Sequence, residues 1–175
     1  MSAGSRLAIV AGLALAAGGC GTREQAPAPR PPAVQPSAQA PSAANYVKRA
    51  ASLDLFAIES SRMALVRART ARTRDFVNMM IRAHTGTSAQ LSFAGRRLNL
   101  LPATVMQPRH RAMIGQLPAS GDFDATYRRQ QLAAHEDALR LHSGYAARGR
   151  SPTLRPVAAN AVPIIRRHLA LLRRM

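Results

Sequence analysis

Apolar residues recur every three or four positions over most of the chain, which is the period of an α-helix. The first such stripe predicts a helix over residues 45–71. A second stripe runs from Phe76 to Leu98 and predicts a helix that ends near Leu100. Because no segment alternates with a period of two residues, we expect an all-α fold without strands.

Two further helices are predicted in the second half of the chain. Asp122 is suited to cap the third helix, which runs to the stop signal at Gly149. The fourth helix is predicted to begin within residues 151–153. Pro163 interrupts its stripe and is predicted to kink it, because proline removes a backbone donor and clashes with the preceding turn.

The link between the second and third helices is long. Residues 101–121 contain three prolines, with a short helical piece predicted at 110–117. The other links are short, so the pattern predicts a four-helix bundle in which the long connector crosses the bundle lengthwise. Ferritin-like folds have such a crossover.

The N-terminus has the order of an exported signal. Arg6 is followed by an uncharged run of about 13 residues from Leu7 to Gly19, and then by Cys20. That run is shorter than the roughly 20 residues of a membrane-spanning helix. We therefore predict that residues 1–19 are a lipoprotein signal peptide and that Cys20 is lipidated after cleavage. The alternative is an ordinary secreted protein in which Cys20 is incidental.

Residues 20–44 are rich in proline and alanine and have few large apolar side chains, so they predict a disordered tether. The bundle then occupies residues 45–175 as a single domain. Gly21 follows the cysteine where an aspartate would favour retention in the inner membrane. The prediction is therefore a protein lipid-anchored to the outer membrane, with its bundle in the periplasm.

The chain is strongly basic, with a formal net charge of +17. One interpretation is a GC-rich coding bias, which enriches Arg, Ala, Gly and Pro together. The other is attraction to anionic envelope polymers. Basic residues are dispersed along every helix and scarcely interleaved with aromatic residues, so no specific nucleic-acid partner is expected.

Four polar residues fall on or beside the apolar stripes, one in each predicted helix: Glu59, His84, His135 and His168. An up-and-down bundle could bring them into one central layer. Polar groups in a core are costly unless they are paired. They could therefore hold a metal ion or form hydrogen bonds that fix the register of the core. A di-iron centre needs more carboxylates, so zinc or copper suits this set better than iron.

Four segments of the predicted bundle resemble a known family, the bacterial domain of unknown function 4142, often grouped as outer membrane proteins. The resemblance covers residues 46–173 and is carried by YVKRAASLDLFAIESSRMA, DFVNMMIRAHTGTSAQL, FDATYRRQQLAAHEDALRL and VPIIRRHLALL. It implies a ferritin-like fold, with the Glu at position 59 and the His at positions 84, 135 and 168. The family usually has Asp before the second-helix histidine, where this chain has Ala83.

No phosphate-binding loop or nucleophile elbow occurs in the sequence, so an enzyme is unsupported by these motifs rather than excluded. The leading hypothesis is a non-enzymatic envelope lipoprotein whose bundle binds a partner or a small ligand, in a stress-related role. The alternative is a bundle that binds zinc, copper or iron, or a metal-dependent redox protein. The expected partners are the membrane, through the lipid anchor, and an envelope protein or an anionic polymer.

Overall fold

A computed structural model describes residues 40–175, and this part of the chain is entirely helical. It contains five helices rather than the four predicted. They are α1 (Ala43–Arg67), α2 (Ala71–Arg96), α3 (Pro108–Gln116), α4 (Phe123–Arg148) and α5 (Leu154–Leu172). The additional helix, α3, is the short helical piece predicted within the connector. None of the helices in the described part is long and apolar enough to cross a membrane.

Side-chain caps explain where three of the helices begin. The side chains of Ser42, Thr70 and Asp122 each accept a hydrogen bond from the backbone N–H three residues later, at 3.3, 3.1 and 3.0 Å. The Thr70 cap ends the first predicted helix earlier than its apolar stripe indicated, at Arg67 instead of residue 71. The cap at Asp122 agrees with the prediction.

The second helix ends at Arg96, four residues before the predicted end. The chain turns back there because Asn99 adopts a positive φ of 54°, which asparagine tolerates better than most residues. The N–H of Leu100 then donates to the carbonyl oxygen of Gly95 at 2.9 Å. A local turn therefore overrides a helical pattern that continues beyond it.

The long helices form two neighbouring pairs. Helices α1 and α2 pack together, α4 packs against α5, and further contacts join α1 to α4 and α2 to α5. The guanidinium of Arg67 lies 4.5 Å from the centre of the Phe123 ring, so the end of α1 lies beside the start of α4. The connector therefore runs the length of the bundle, with α3 packed against α1.

The core extends along the whole bundle in two apolar clusters. The end nearer the start of α1 is filled by residues such as Tyr46, Phe56, Leu154 and Ile165. The opposite end is filled by Met80, Phe76, Tyr127 and Leu172 among others. Helix α5 continues through Pro163, whose side chain is exposed. A layer of buried polar residues lies in the interior together with these clusters.

Candidate metal centre

Three of the four predicted polar residues meet in the bundle interior. His84 of α2, His135 of α4 and His168 of α5 are 4, 2 and 1% exposed. One ring nitrogen from each lies within 4.8 Å of the other two. Each histidine lies on the inward face of its helix, so the helical period that buries the neighbouring apolar side chains also directs these imidazoles to a common point.

Glu59 does not join the histidines. Its side chain is 42% exposed, and its carboxylate accepts a hydrogen bond from Arg62 at 2.8 Å, one turn further along α1. The physical reason is the rotation of the helix. Residue 59 lies five positions beyond Asp54, the acidic residue that faces the core, and five residues turn an α-helix by about 140° away from that direction. The prediction that Glu59 shares the layer was wrong.

Asp54 supplies the carboxylate of the centre. It is 5% exposed, and its Oδ1 lies 2.8 Å from Nδ1 of His84. The hydroxyl of Thr87 donates to the same oxygen at 2.8 Å, and that of Ser88 donates to Oδ2 at 3.3 Å. Asp54 was not among the four polar residues singled out from the sequence. An acidic residue on a buried stripe was the signal that could have identified it.

Hydrogen bonds fix which ring nitrogens carry protons. Nδ1 of His84 faces a carboxylate, and Nδ1 of His135 lies 2.9 Å from the carbonyl oxygen of Gln131. Both partners only accept, so both Nδ1 atoms must donate. In the neutral rings the lone pairs are therefore on the Nε2 atoms, which face each other at 3.2 Å. Two lone pairs at this distance need a cation between them, either a proton or a metal ion.

His168 completes the arrangement. Its Nδ1 lies 3.2 Å from Nε2 of His135. Nitrogens that share a tetrahedral ion at 2.0–2.1 Å are separated by about 3.3 Å, so these two N···N separations of 3.2 Å match two edges of a coordination polyhedron. The donors and their spacing fit a transition-metal ion.

Burial keeps these imidazoles in the form that binds metal. Desolvation, with contributions from His84 and His168, lowers the pKa of His135 well below its usual value. Desolvation, with the neighbouring His84 and Arg167, lowers the pKa of His168 to about 3. Both rings are consequently neutral near pH 7, with lone pairs available for coordination.

The remaining histidines are held elsewhere in the fold, and each has a partner that the sequence did not reveal. Nδ1 of His110 lies 2.6 Å from the hydroxyl of Ser52, which also accepts from the backbone N–H of Gln107 and ties the connector to α1. Nδ1 of His142 lies 3.0 Å from the hydroxyl of Tyr46. These hydrogen bonds satisfy the buried rings of His110 and His142, so no bound ligand is needed to explain their burial.

Two further residues, Ala83 and Glu136, are sequence neighbours of the histidines. Ala83 precedes His84 and carries no carboxylate, and Asp54 supplies one to that histidine from a different helix. Glu136, which follows His135, is exposed, and its carboxylate lies 3.6 Å from the guanidinium of Arg173. Cys20, the signal peptide and most of the tether lie outside the described residues.

The fold and the centre thus define the class of protein: it is an all-helical bundle in which three buried histidines converge. The chain belongs to the family described as domain of unknown function (DUF4142), whose model matches residues 28–175. Among solved structures, it is similar to CopM in the Cu(II)-bound form, with a TM-score of 0.67 and 15% identity, covering 78% of this chain and 96% of that chain. This similarity shows a shared fold. No curated protein matches the sequence.

Proposed function

We propose that this protein is a cell-envelope lipoprotein whose ferritin-like helical bundle binds one transition-metal ion, with His84, His135 and His168 as ligands. The observation that carries the proposal is the pair of Nε2 atoms of His84 and His135, which face each other at 3.2 Å. The Nε2 atoms point at each other because the Nδ1 atom of each ring is hydrogen-bonded on its other side, to Asp54 in one case and to Gln131 in the other. A metal-bound histidine commonly donates its other N–H to a carboxylate or a backbone carbonyl, and both kinds of partner occur here.

Copper is the ion that we favour. Imidazole ligands suit zinc, copper, iron and nickel, and copper binds most tightly in the divalent series. The solved structure that shares this fold, CopM in the Cu(II)-bound form, holds a copper ion. The three histidines are at most 4% exposed, which supports a role in holding the ion rather than in turning over a large substrate.

Elemental analysis and metal titration of the purified protein test the proposal. We expect one copper ion per chain after reconstitution and dialysis. We expect His168→Gln to lose it, because one of three ligands is replaced by a weak donor. Glu59→Gln is the matched control, since that carboxylate is outside the centre, and it should bind as the parent does. Absence of copper, zinc and iron from the reconstituted parent would refute the proposal, as would equal losses in both variants.

The envelope location is proposed from the residues around Cys20. The charged start, the short apolar run and the small residues before the cysteine support lipidation. More than one acyl chain gives stable anchoring, because each buried methylene contributes about 0.8 kcal/mol. Mass spectrometry of the protein from membranes should find an N-terminal acylated Cys20, and Cys20→Ser should release it to the soluble fraction. An unmodified thiol in the native protein would contradict this part of the proposal.

A second proposed role, binding of anionic envelope polymers, is supported by charge. The chain has 25 basic and 8 acidic residues, and most arginines in the described part are exposed. Exposed charges are screened over about 10 Å at 0.1 M salt. Sedimentation with lipopolysaccharide should therefore fall steeply between low and physiological salt. Binding that is absent or insensitive to salt would exclude this role.

A further inference from the structure

We propose that a cleft between α1, α2 and the connector is the entrance through which a hydrated metal ion reaches the buried histidines, passing Ser88 and Asp54. The inference rests on the proposed function and adds the route to the same centre. Three observations support it: the hydrogen bonds that join the cleft to the centre, the size of the cleft, and the lack of cationic side chains among the described residues that line it.

Two hydrogen bonds join a wall of the cleft to the histidine centre. Ser88 of α2 lines the cleft and is half-buried, and its hydroxyl donates to Oδ2 of Asp54 at 3.3 Å. Oδ1 of the same carboxylate accepts from Nδ1 of His84 at 2.8 Å. On α1, the small side chain of Ala51 lines the cleft about one turn before Asp54. The cleft therefore lies beside the Asp54–His84 pair.

The carboxylate of Asp54 is suited to meet an entering cation. It is the only acidic group among the buried residues of the described part. Its Oδ1 accepts from both His84 and Thr87, whereas Oδ2 accepts one longer hydrogen bond, from Ser88. A carboxylate oxygen has two lone pairs, so Oδ2 can contact a cation while the other hydrogen bonds hold the group in place.

The cleft is large enough for a hydrated ion. Its volume is about 220 Å³. A water molecule occupies about 30 Å³ in the liquid, so an ion with six waters needs roughly 200 Å³. Residues 102–104 of the connector form one wall, and Ala103 and Thr104 in this wall are exposed, so the cleft is open to solvent.

Charge separates this cleft from others on the bundle. The chain has 25 basic residues, yet none of those in the described part lines this cleft. Arginines line clefts at the start of α2, beside the start of α5 and beside the end of α1, namely Arg72 and Arg174, Arg155, and Arg67 and Arg69. Since a guanidinium repels an approaching cation, the cleft beside Asp54 offers an ion the lowest electrostatic cost among them.

Stopped-flow mixing of the metal-free protein with Cu(II) tests the route, with quenching of tyrosine fluorescence as the signal because the chain has no tryptophan. Ser92 lines the cleft one turn beyond Ser88, so the ring in Ser92→Phe should fill it. We expect Cu(II) uptake, and release to a chelator, to slow roughly tenfold or more, because the ring must move before an ion can pass. The Kd should stay within about twofold, since a barrier on the route changes both rates by the same factor.

Ala159→Phe is the matched control, because residue 159 lines the cleft that contains Arg155, and it should leave both rates unchanged. Thr104→Arg keeps the test decisive if Ser92→Phe does not fold, because residue 104 is exposed. A positive charge about 10 Å from a divalent ion in water should slow uptake roughly threefold relative to Thr104→Gln at low salt, and this difference should vanish at high salt.

Uptake at the parent rate in both Ser92→Phe and Thr104→Arg overturns the entrance while leaving the metal centre intact. Slower uptake in Ala159→Phe than in Ser92→Phe also overturns it, as does a weaker Kd in Ser92→Phe with unchanged uptake. Failure of the parent to bind Cu(II), zinc or iron refutes the proposed metal centre itself.

Discussion

We expect acid to destabilise the metal-free protein through its buried histidines. The contribution of one of them, His142, can be measured separately. This side chain is 6% exposed and pairs with the hydroxyl of Tyr46 at 3.0 Å. Burial lowers its pKa from 6.5 to about 4; the carboxylate of Asp54 opposes this shift, and His84 lowers the pKa further by a smaller amount. Between these two values the unfolded chain binds a proton at His142 that the folded protein does not bind, so stability must fall as the pH falls.

The size of the stability loss follows from the pH interval between the pKa of His142 in the unfolded chain and its pKa in the folded protein. Each pH unit between the two pKa values costs about 1.4 kcal/mol, and the full loss of roughly 3 kcal/mol is reached below about pH 4. His142→Gln keeps an acceptor for Tyr46 but cannot titrate. Between about pH 7.5 and about pH 5, the variant should therefore lose roughly 2 kcal/mol less stability than the parent.

Urea unfolding followed by far-UV circular dichroism in the presence of a chelator measures both proteins at each pH. Differences in the unfolding free energy are more informative than midpoints, because the slope with urea can change with pH. Parallel curves of stability against pH for parent and variant would refute the reasoning, since they would mean that His142 is protonated in the folded protein. A steeper dependence in the variant would refute it as well.

Two further predictions concern packing and backbone geometry. Phe56 is fully buried, so Phe56→Ala should lower the unfolding free energy by about 3–5 kcal/mol, and a loss below about 1 kcal/mol in urea titrations would contradict its place in the core. Gly86 has open space at its Cβ position, so Gly86→Ala should raise stability by about 0.5–1 kcal/mol. In Gly95→Ala the added Cβ would collide with the carbonyl oxygen of Leu100, so thermal melting should show a loss, and equal shifts for the two glycine variants would contradict the geometry.

The sequence by itself determined the helical architecture. Periodic apolar stripes predicted the four long helices, and the prolines and the break in periodicity predicted the connector with its short helix. The cap at Asp122 was also readable, because capping depends on a side chain and a backbone N–H only three residues apart. These features arise from interactions between residues close in sequence. The sequence also placed His84, His135 and His168 on inward faces, since each shares the period of its apolar neighbours.

Only the tertiary structure decided which acidic residue joins the histidines. Asp54 and Glu59 both lie on or beside the stripe of α1, and the choice depends on the rotation of that helix against α2, where His84, Thr87 and Ser88 meet the carboxylate. The pairings of the other buried histidines were fixed in the same way. A helical period defines a face of one helix but not the axial rotation or register of its neighbours. The packing of side chains between helices determines both, and therefore the geometry of the centre.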